Sequence, residues 1–235
     1  MKIGIILTPG TRSKAYLQKI IDNQILINEI IFMNDKKKEA KFSREIIKKS
    51  MQYGFDISRS IKSVLLQNKL IFKEFNFVNI NHPELVNFLK KSKTNIFIYT
   101  GGGILKKEIL NSDHKFIHLH SGLVPQYRGS TCFYYSIIND DNCGVTAYFM
   151  DQKLDTGKVI FQKIFKKPDH KFIDEVFDSY IRSETLIELL KNRKFEKGPF
   201  VKQNPNEGET YFIIHPVLKH IAILSCINKT QKSKN

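Results

Sequence analysis

The stretch "KIGIILTPGTRSKAYLQKIIDNQILINEIIFMN", residues 2–34, decides the architecture. Its first seven residues form an apolar, β-branched run that Pro9-Gly10 ends. A helical pattern follows from Ser13 to about Asn23, and EIIFMN then reads as a second strand. A parallel return needs a crossover, and a helix supplies it, so strand, helix and strand at this spacing open a parallel α/β sheet. The run carries one lysine and no small-residue cleavage site follows it, so it is expected to be a strand and not a signal peptide.

The alternation continues outward from there. Residues 42–70 predict helix with a break near Gly54, and HPELVNFLKKS (82–92) predicts a helix with Pro83 near its first turn. NIFIYT (95–100) is a buried-strand candidate ended by Gly101-Gly102-Gly103; ILKKEIL (104–110) is a short helix and FIHLH (116–120) a further strand. After a helical stretch from Ser130 to about Asp140, CGVTAYFM and KVIFQKIFKK read as two long strands joined through QKLDTG. Adjacent strands without an intervening helix predict that the far side of the sheet is antiparallel. Residues 172–192 predict a long amphipathic helix, and 209–224 a short strand and a terminal helix in which His215, before Pro216, is a cap residue. Lys-Lys-Pro-Asp at 166–169 is the best internal boundary, separating a catalytic domain at 1–165 from a helical and strand appendage at 166–235.

Composition bounds the function. Of 235 residues, 41% are hydrophobic and 11% aromatic, enough for a globular core. No apolar run approaches the roughly 20 residues that cross a bilayer, so no membrane partner is expected. Three cysteines (Cys132, Cys143, Cys226) without metal-type spacing favour a reducing, cytoplasmic setting. The formal net charge of +15 favours anionic partners. Lysine is nevertheless spread along the chain without arginine clusters, and the basic low-complexity stretch is the tail KTQKSKN (229–235). A phosphate-bearing small substrate fits that charge, and dedicated nucleic-acid binding is not expected.

Two segments carry chemistry. "FIHLHSGLVPQYRG" (116–129) sets His118 and His120 on one face of a strand, because a strand alternates its faces. At the carboxyl end of a parallel strand that face opens on the crevice where α/β proteins bind ligands. The pair alone is also what an exposed and a hydrogen-bonded histidine would give, and it could share a metal if Asp155 or Asp151 supplied a third ligand. "GVTAYFMDQKLDTGKVI" (144–160) places Asp155 at a strand end, where a plain turn is the alternative.

Together, in that order and at that separation, the two segments resemble the 10-formyltetrahydrofolate-dependent formyltransferases. That family includes the methionyl-tRNA, phosphoribosylglycinamide and nucleotide-sugar amine formyltransferases. The likeness is densest from about Ile96 to Ile160 and implies a Rossmann-like, mostly parallel twisted sheet with helices on both faces. It puts His120 on the family's catalytic histidine and Asp155 on its aspartate, while the family's asparagine, two residues before the histidine, is here His118. That departure leaves three outcomes: replacement of the asparagine, a change to another acyl group or hydrolysis, or loss of activity.

The resemblance implies the following chemistry. Formyl transfer passes through a tetrahedral carbon whose oxygen turns negative, and a donor aimed at it contributes about 3 to 4 kcal/mol. His120, charged through Asp155, is expected to be that donor, and Asp155 or a water on it the base for the amine. Gly101, Gly102, Gly103 and Ile104 fall on a folate-contacting loop, and Asp140, Asp141 and Cys143 on a second pteridine-facing segment. Arg128 and Tyr127 are candidates for an anionic acceptor, with a loop salt bridge the bland reading of Arg128. The implied donor is 10-formyltetrahydrofolate with no metal, and the implied acceptor a small amine such as a nucleotide-linked amino sugar. The length leaves no room beside the catalytic part for the family's tRNA-binding domain. Residues after 165 are expected to cover the acceptor or form a homodimer contact. A metal-dependent hydrolase and a non-catalytic folate-binding relative are the alternatives.

Overall fold

A computed structural model describes residues 1–35, 40–204 and 206–227. The tail KTQKSKN lies outside the described residues. The opening stretch folds as its pattern dictates: β1 (Ile3–Leu7), α1 (Thr11–Asp22) and β2 (Glu29–Met33), with β1 and β2 parallel. β3 (Lys73–Phe75), β4 (Ile96–Tyr99) and β5 (Lys115–His120) complete a parallel set, and β7 (Asn142–Phe149) and β8 (Val159–Lys166) close the sheet antiparallel in the order β3-β2-β1-β4-β5-β7-β8. The expected change of direction therefore lies at the β5–β7 pair.

Period-two alternation divides the core in two. Ile3, Ile5, Leu7, Ile96, Ile98, Ile117 and Leu119 face one layer, whereas Ile6, Phe97, Tyr99 and Phe116 face the other. The second layer holds α4 (Pro83–Leu89) and α5 (Lys107–Leu110). The first holds α1, α3 (Ile61–Gln67), α6 (Cys132–Asp140), α7 (Asp178–Lys191) and α8 (Pro216–Ile227). The helical stretch expected over 42–70 is two helices, α2 (Arg44–Gln52) and α3, capped by the Ser43 and Ser60 side chains. The helix expected over 172–192 opens as a π-helical turn at Ile173–Phe177 before α7.

Two short strands, β6 (Tyr127–Gly129) and β9 (Glu209–Tyr211), pair parallel apart from the main sheet. They tie the loop after β5 to the chain before α8. Among the described residues no helix is long and apolar enough to cross a membrane.

Candidate active site

The carboxyl ends of β4 and β5 open on a cavity of about 400 Å³. Gly101 to Ile104, His118, His120 and Asp155 all line it, so three widely separated segments of sequence meet there. The glycine after Ser121 makes the histidine's position feasible. A Cβ on Gly122 would stand 2.6 Å from both the His120 Nε2 and the Tyr127 carbonyl oxygen.

Three donors and acceptors fix the His120–Asp155 pair. The Asp155 carboxylate accepts from the Tyr148 hydroxyl (2.7 Å) and from the Gly129 amide (2.8 Å), and its Oδ2 lies 3.5 Å from the His120 Nδ1. The other ring nitrogen, Nε2, lies 2.9 Å from the Tyr127 carbonyl oxygen. A carbonyl can only accept, so Nε2 carries a proton and Nδ1 is the nitrogen that faces Asp155. Asp155 holds a left-handed backbone at φ 52°, a conformation that costs an ordinary residue about 1 kcal/mol or more.

His118 is held differently. Its Nδ1 lies 3.2 Å from the Tyr99 carbonyl oxygen, which again can only accept, so Nδ1 carries the proton and Nε2 keeps its lone pair. Burial lowers this ring well below the ordinary histidine value, and the positive charges of Arg12 and Arg182 lower it further. His118 is therefore a neutral ring.

Burial also corrects the expectation for His120. Asp155 pulls its proton affinity up, as expected, but loss of solvent pulls it down and prevails, with Arg182 adding to the fall. The resting ring is accordingly not the charged donor that the motif suggests.

Beneath the cavity lies a charged cluster that the sequence analysis did not single out. Arg182 on α7 donates to Asp178 (2.7 Å), to the Ser121 hydroxyl (2.6 Å) and to the Leu119 carbonyl. Arg12, at the start of α1, donates to the Thr100 carbonyl (3.0 Å) and approaches Asp178 at 3.9 Å. All three line the cavity. Burial opposes both charges of the Asp178–Arg182 pair, yet each holds the other ionised: Asp178 is lowered and Arg182 raised. Only the i, i+4 spacing of Asp178 and Arg182 hinted at a pair.

Five expected ligand contacts lie elsewhere. Tyr127 donates to Asp140 (2.8 Å) and stacks on Tyr211 at 5.4 Å, while Arg128 donates to the Glu207 carbonyl (2.6 Å). Pairing of β6 with β9 turns these side chains toward the C-terminal strand. Asp140 and Asp141 end α6, whose nine residues carry them about 13 Å from its cavity end. Asp141 pairs with Lys167, and Cys143 is buried in the main core. None of the five lines the cavity.

Asp151 also lines the cavity but accepts from the Thr156 hydroxyl (2.8 Å) and the Lys153 amide (3.1 Å). Among the described residues no group of three or more His, Cys, Asp or Glu side chains is arranged to hold a metal ion.

Known proteins resemble this chain in sequence and in fold. Methionyl-tRNA formyltransferase of Finegoldia magna is 26% identical over 213 residues, which are 87% of this chain and 63% of that protein. The Helicobacter pylori (strain P12) enzyme of the same name is 28% identical over 196 residues, 82% of this chain and 60% of that one. The chain thus spans about 60% of the length of these relatives. Among solved structures, WlaRD, a sugar 3N-formyl transferase, superposes with a TM-score of 0.65 at 17% identity, over 99% of this chain and 81% of that one. The Helicobacter canadensis N-formyltransferase gives 0.62 at 20%, over 98% and 82%. At these identities the superpositions show a shared fold. The Formyl transferase profile matches residues 3–176, most of the chain, and with it the chain belongs to the formyl transferase family.

Proposed function

We propose that this chain transfers a formyl group from 10-formyltetrahydrofolate to a primary amine on a small phosphorylated acceptor, first among them a nucleotide-linked amino sugar. The observation that carries the reading is the convergence of His118, His120 and Asp155 on one cavity with the Gly101–Ile104 loop. The folate fits what lines that cavity. A Cβ on Gly102 or Gly103 would meet nothing within 4 Å, so the loop offers bare backbone to a flat ring, and Ile104, Met150 and Leu154 supply apolar walls. WlaRD was crystallised with dTDP and 5-N-formyl-THF, and the H. canadensis enzyme with folinic acid and dTDP-3-aminofucose, which supports both donor and acceptor class.

When bound, the folate supplies the formyl carbon. The unprotonated Nε2 of His118 takes the proton that the amine sheds on attack, a task an asparagine amide cannot perform. Asp155, fixed by Tyr148 and Gly129, faces His120 and stabilises a proton that reaches the pair. The Arg12–Asp178–Arg182 cluster holds the floor of the cavity.

The test is turnover of 10-formyltetrahydrofolate against a panel of dTDP- and UDP-linked amino sugars, with methionyl-tRNA as a further acceptor. A sugar that gains the mass of a formyl group supports the reading. Formylation of the tRNA alone would replace the acceptor, because the curated relatives carry that name. No turnover and no folinic-acid binding by folded protein would sink the donor.

A further inference from the structure

The left-handed backbone at Asp155 has to be held from outside its own turn, because a residue with a Cβ leaves that conformation when nothing over-determines it. Tyr148 and Gly129 grip the carboxylate. They fix the end of the side chain and leave the backbone beneath it to other contacts.

Gln203 grips that backbone. Its amide nitrogen donates to the Asp155 carbonyl (2.9 Å) and to the Gly157 carbonyl (2.8 Å), so its two hydrogens span the turn. Among the described residues no other donor reaches either oxygen. Turned about, the amide would set its own oxygen against both carbonyls, so the partners dictate its orientation. The side chain is buried, at 8% exposure, where a carbonyl that loses its donor finds little water in exchange.

A backbone pair sets where this side chain starts. Val159 and Val201 exchange amide-to-carbonyl bonds at 2.8 and 3.0 Å, which ties the chain just before Gln203 to the strand just after Gly157. Gln203 lies 48 residues from Asp155 in sequence, so no local motif joins the two. It does not line the cavity, and whatever it does for a reaction there it does through Asp155.

We infer, on the role proposed for Asp155, that Gln203 is a positioning residue, holding the Asp155–Gly157 turn so that the carboxylate meets His120. The demand is chemical as well as steric. Two hydrogens on one nitrogen must reach two carbonyls, and neither an apolar side chain of the same length nor an ionised carboxylate brings them. Loss of this hold is felt in rate, since a misplacement of about 1 Å at a reacting group costs on the order of 10²-fold.

Two variants of the full chain test it. Gln203→Met keeps length and bulk and loses both donors; Gln203→Glu keeps the shape and offers one hydrogen only when protonated. Each is expected to lower kcat by on the order of 10²-fold near neutral pH, with folinic-acid affinity within about threefold of wild type. For Gln203→Glu the ratio of variant to wild-type kcat should climb as pH falls from about 8 to about 5, as the buried carboxyl gains its proton, while the ratio for Gln203→Met stays flat. A role confined to stability would lower the denaturation midpoint and leave both ratios near one. A crystal structure of either variant gives a readout that needs no substrate: Asp155 should leave φ 52° and its Oδ2 should move beyond 3.5 Å from the His120 Nδ1. A wild-type chain without turnover would therefore sink the proposed reaction and leave Gln203 to be judged on that geometry. Either variant alone suffices if the other misfolds. Asp155 unmoved in the crystal, kcat within about threefold of wild type, or a Gln203→Glu ratio indifferent to pH would each overturn the inference.

Discussion

His118 stands where the formyl transferase family is expected to carry an asparagine, and its surroundings give it a different proton chemistry. Burial first, then Arg12 and Arg182, holds the ring neutral, and the Tyr99 carbonyl fixes which nitrogen is bare. If that nitrogen takes the amine's proton, His118→Asn lowers kcat by on the order of 10²–10⁴ and flattens the acid limb of the rate profile. A variant with unchanged kcat and the same limb would reduce the ring to a spacer. Asp155→Asn keeps an oxygen for one of its two donors, Tyr148 on Oδ1 or Gly129 on Oδ2, and removes the carboxylate that faces His120. We expect kcat to fall at least about 100-fold with folinic-acid affinity preserved; equal losses in both would show a structural role. At this scale the sequence was legible where the motif was local. Strand alternation and the Asp-Thr-Gly turn made His120 and Asp155 candidates, and the resemblance to the formyltransferases singled them out. Gly157 lets that turn close: a Cβ there would stand 1.7 Å from the Phe149 carbonyl oxygen. The charge on His120 was not legible, because a motif names a partner and says nothing of burial.

Elements bring together what the residues alone do not announce. α7 crosses behind β5, and Arg182 reaches through to bind the Leu119 carbonyl and the Ser121 hydroxyl at the turn that follows β5. Arg12 and Arg182 are far apart in sequence and share only Asp178, so no local pattern joins them. Arg182→Leu takes the nearest counter-charge from buried Asp178, Arg12 remaining at 3.9 Å, and leaves the Leu119 carbonyl without its donor. The expected cost is about 3–5 kcal/mol, read as a fall in denaturation midpoint of roughly 10 °C, and Lys should restore little because it lacks the planar fork. The link from β8 to α7 is pH-sensitive for a separate reason. The His170 Nδ1 accepts from the Phe172 amide (3.1 Å), and burial first, then Lys49, lowers the ring to about 4. The unfolded chain therefore takes up this proton first. Stability is complete above about pH 6.5 and is lost as pH falls toward 4. His170→Asn, which keeps an acceptor but cannot titrate, should flatten part of that decline in midpoint against pH; an unchanged slope would assign it to His118 and His120. Short elements escaped the sequence reading for a plain reason. β3 and β6 have three residues each, too few for alternation to register.

Across the whole molecule, one core decides how the parts behave. Its main cluster runs from Ile3 on β1 through Ile117 and Val145 to Ile181 and Leu186 on α7 and Ala222 and Cys226 on α8. Composition alone favoured a boundary at Lys166–Asp169, because a Lys-Lys-Pro-Asp sequence breaks a strand; the packing that crosses such a break is set by residues far apart in the chain. β6 and β9 add a second tie, since the Ser130 amide donates to the Tyr211 carbonyl (2.8 Å) next to the Gly129 that binds Asp155. The C-terminal segment thus helps to hold the loop that binds Asp155 as well as the core. A chain built this way is expected to melt in one calorimetric transition, with calorimetric and van't Hoff enthalpies equal. Folinic acid at 100 times its Kd should raise that single transition by the equivalent of about 2.7 kcal/mol, because it binds only the folded state. Two resolved transitions, of which folinic acid moves only one, would instead mean that residues 166–235 fold as a unit of their own and that the shared core does not couple them.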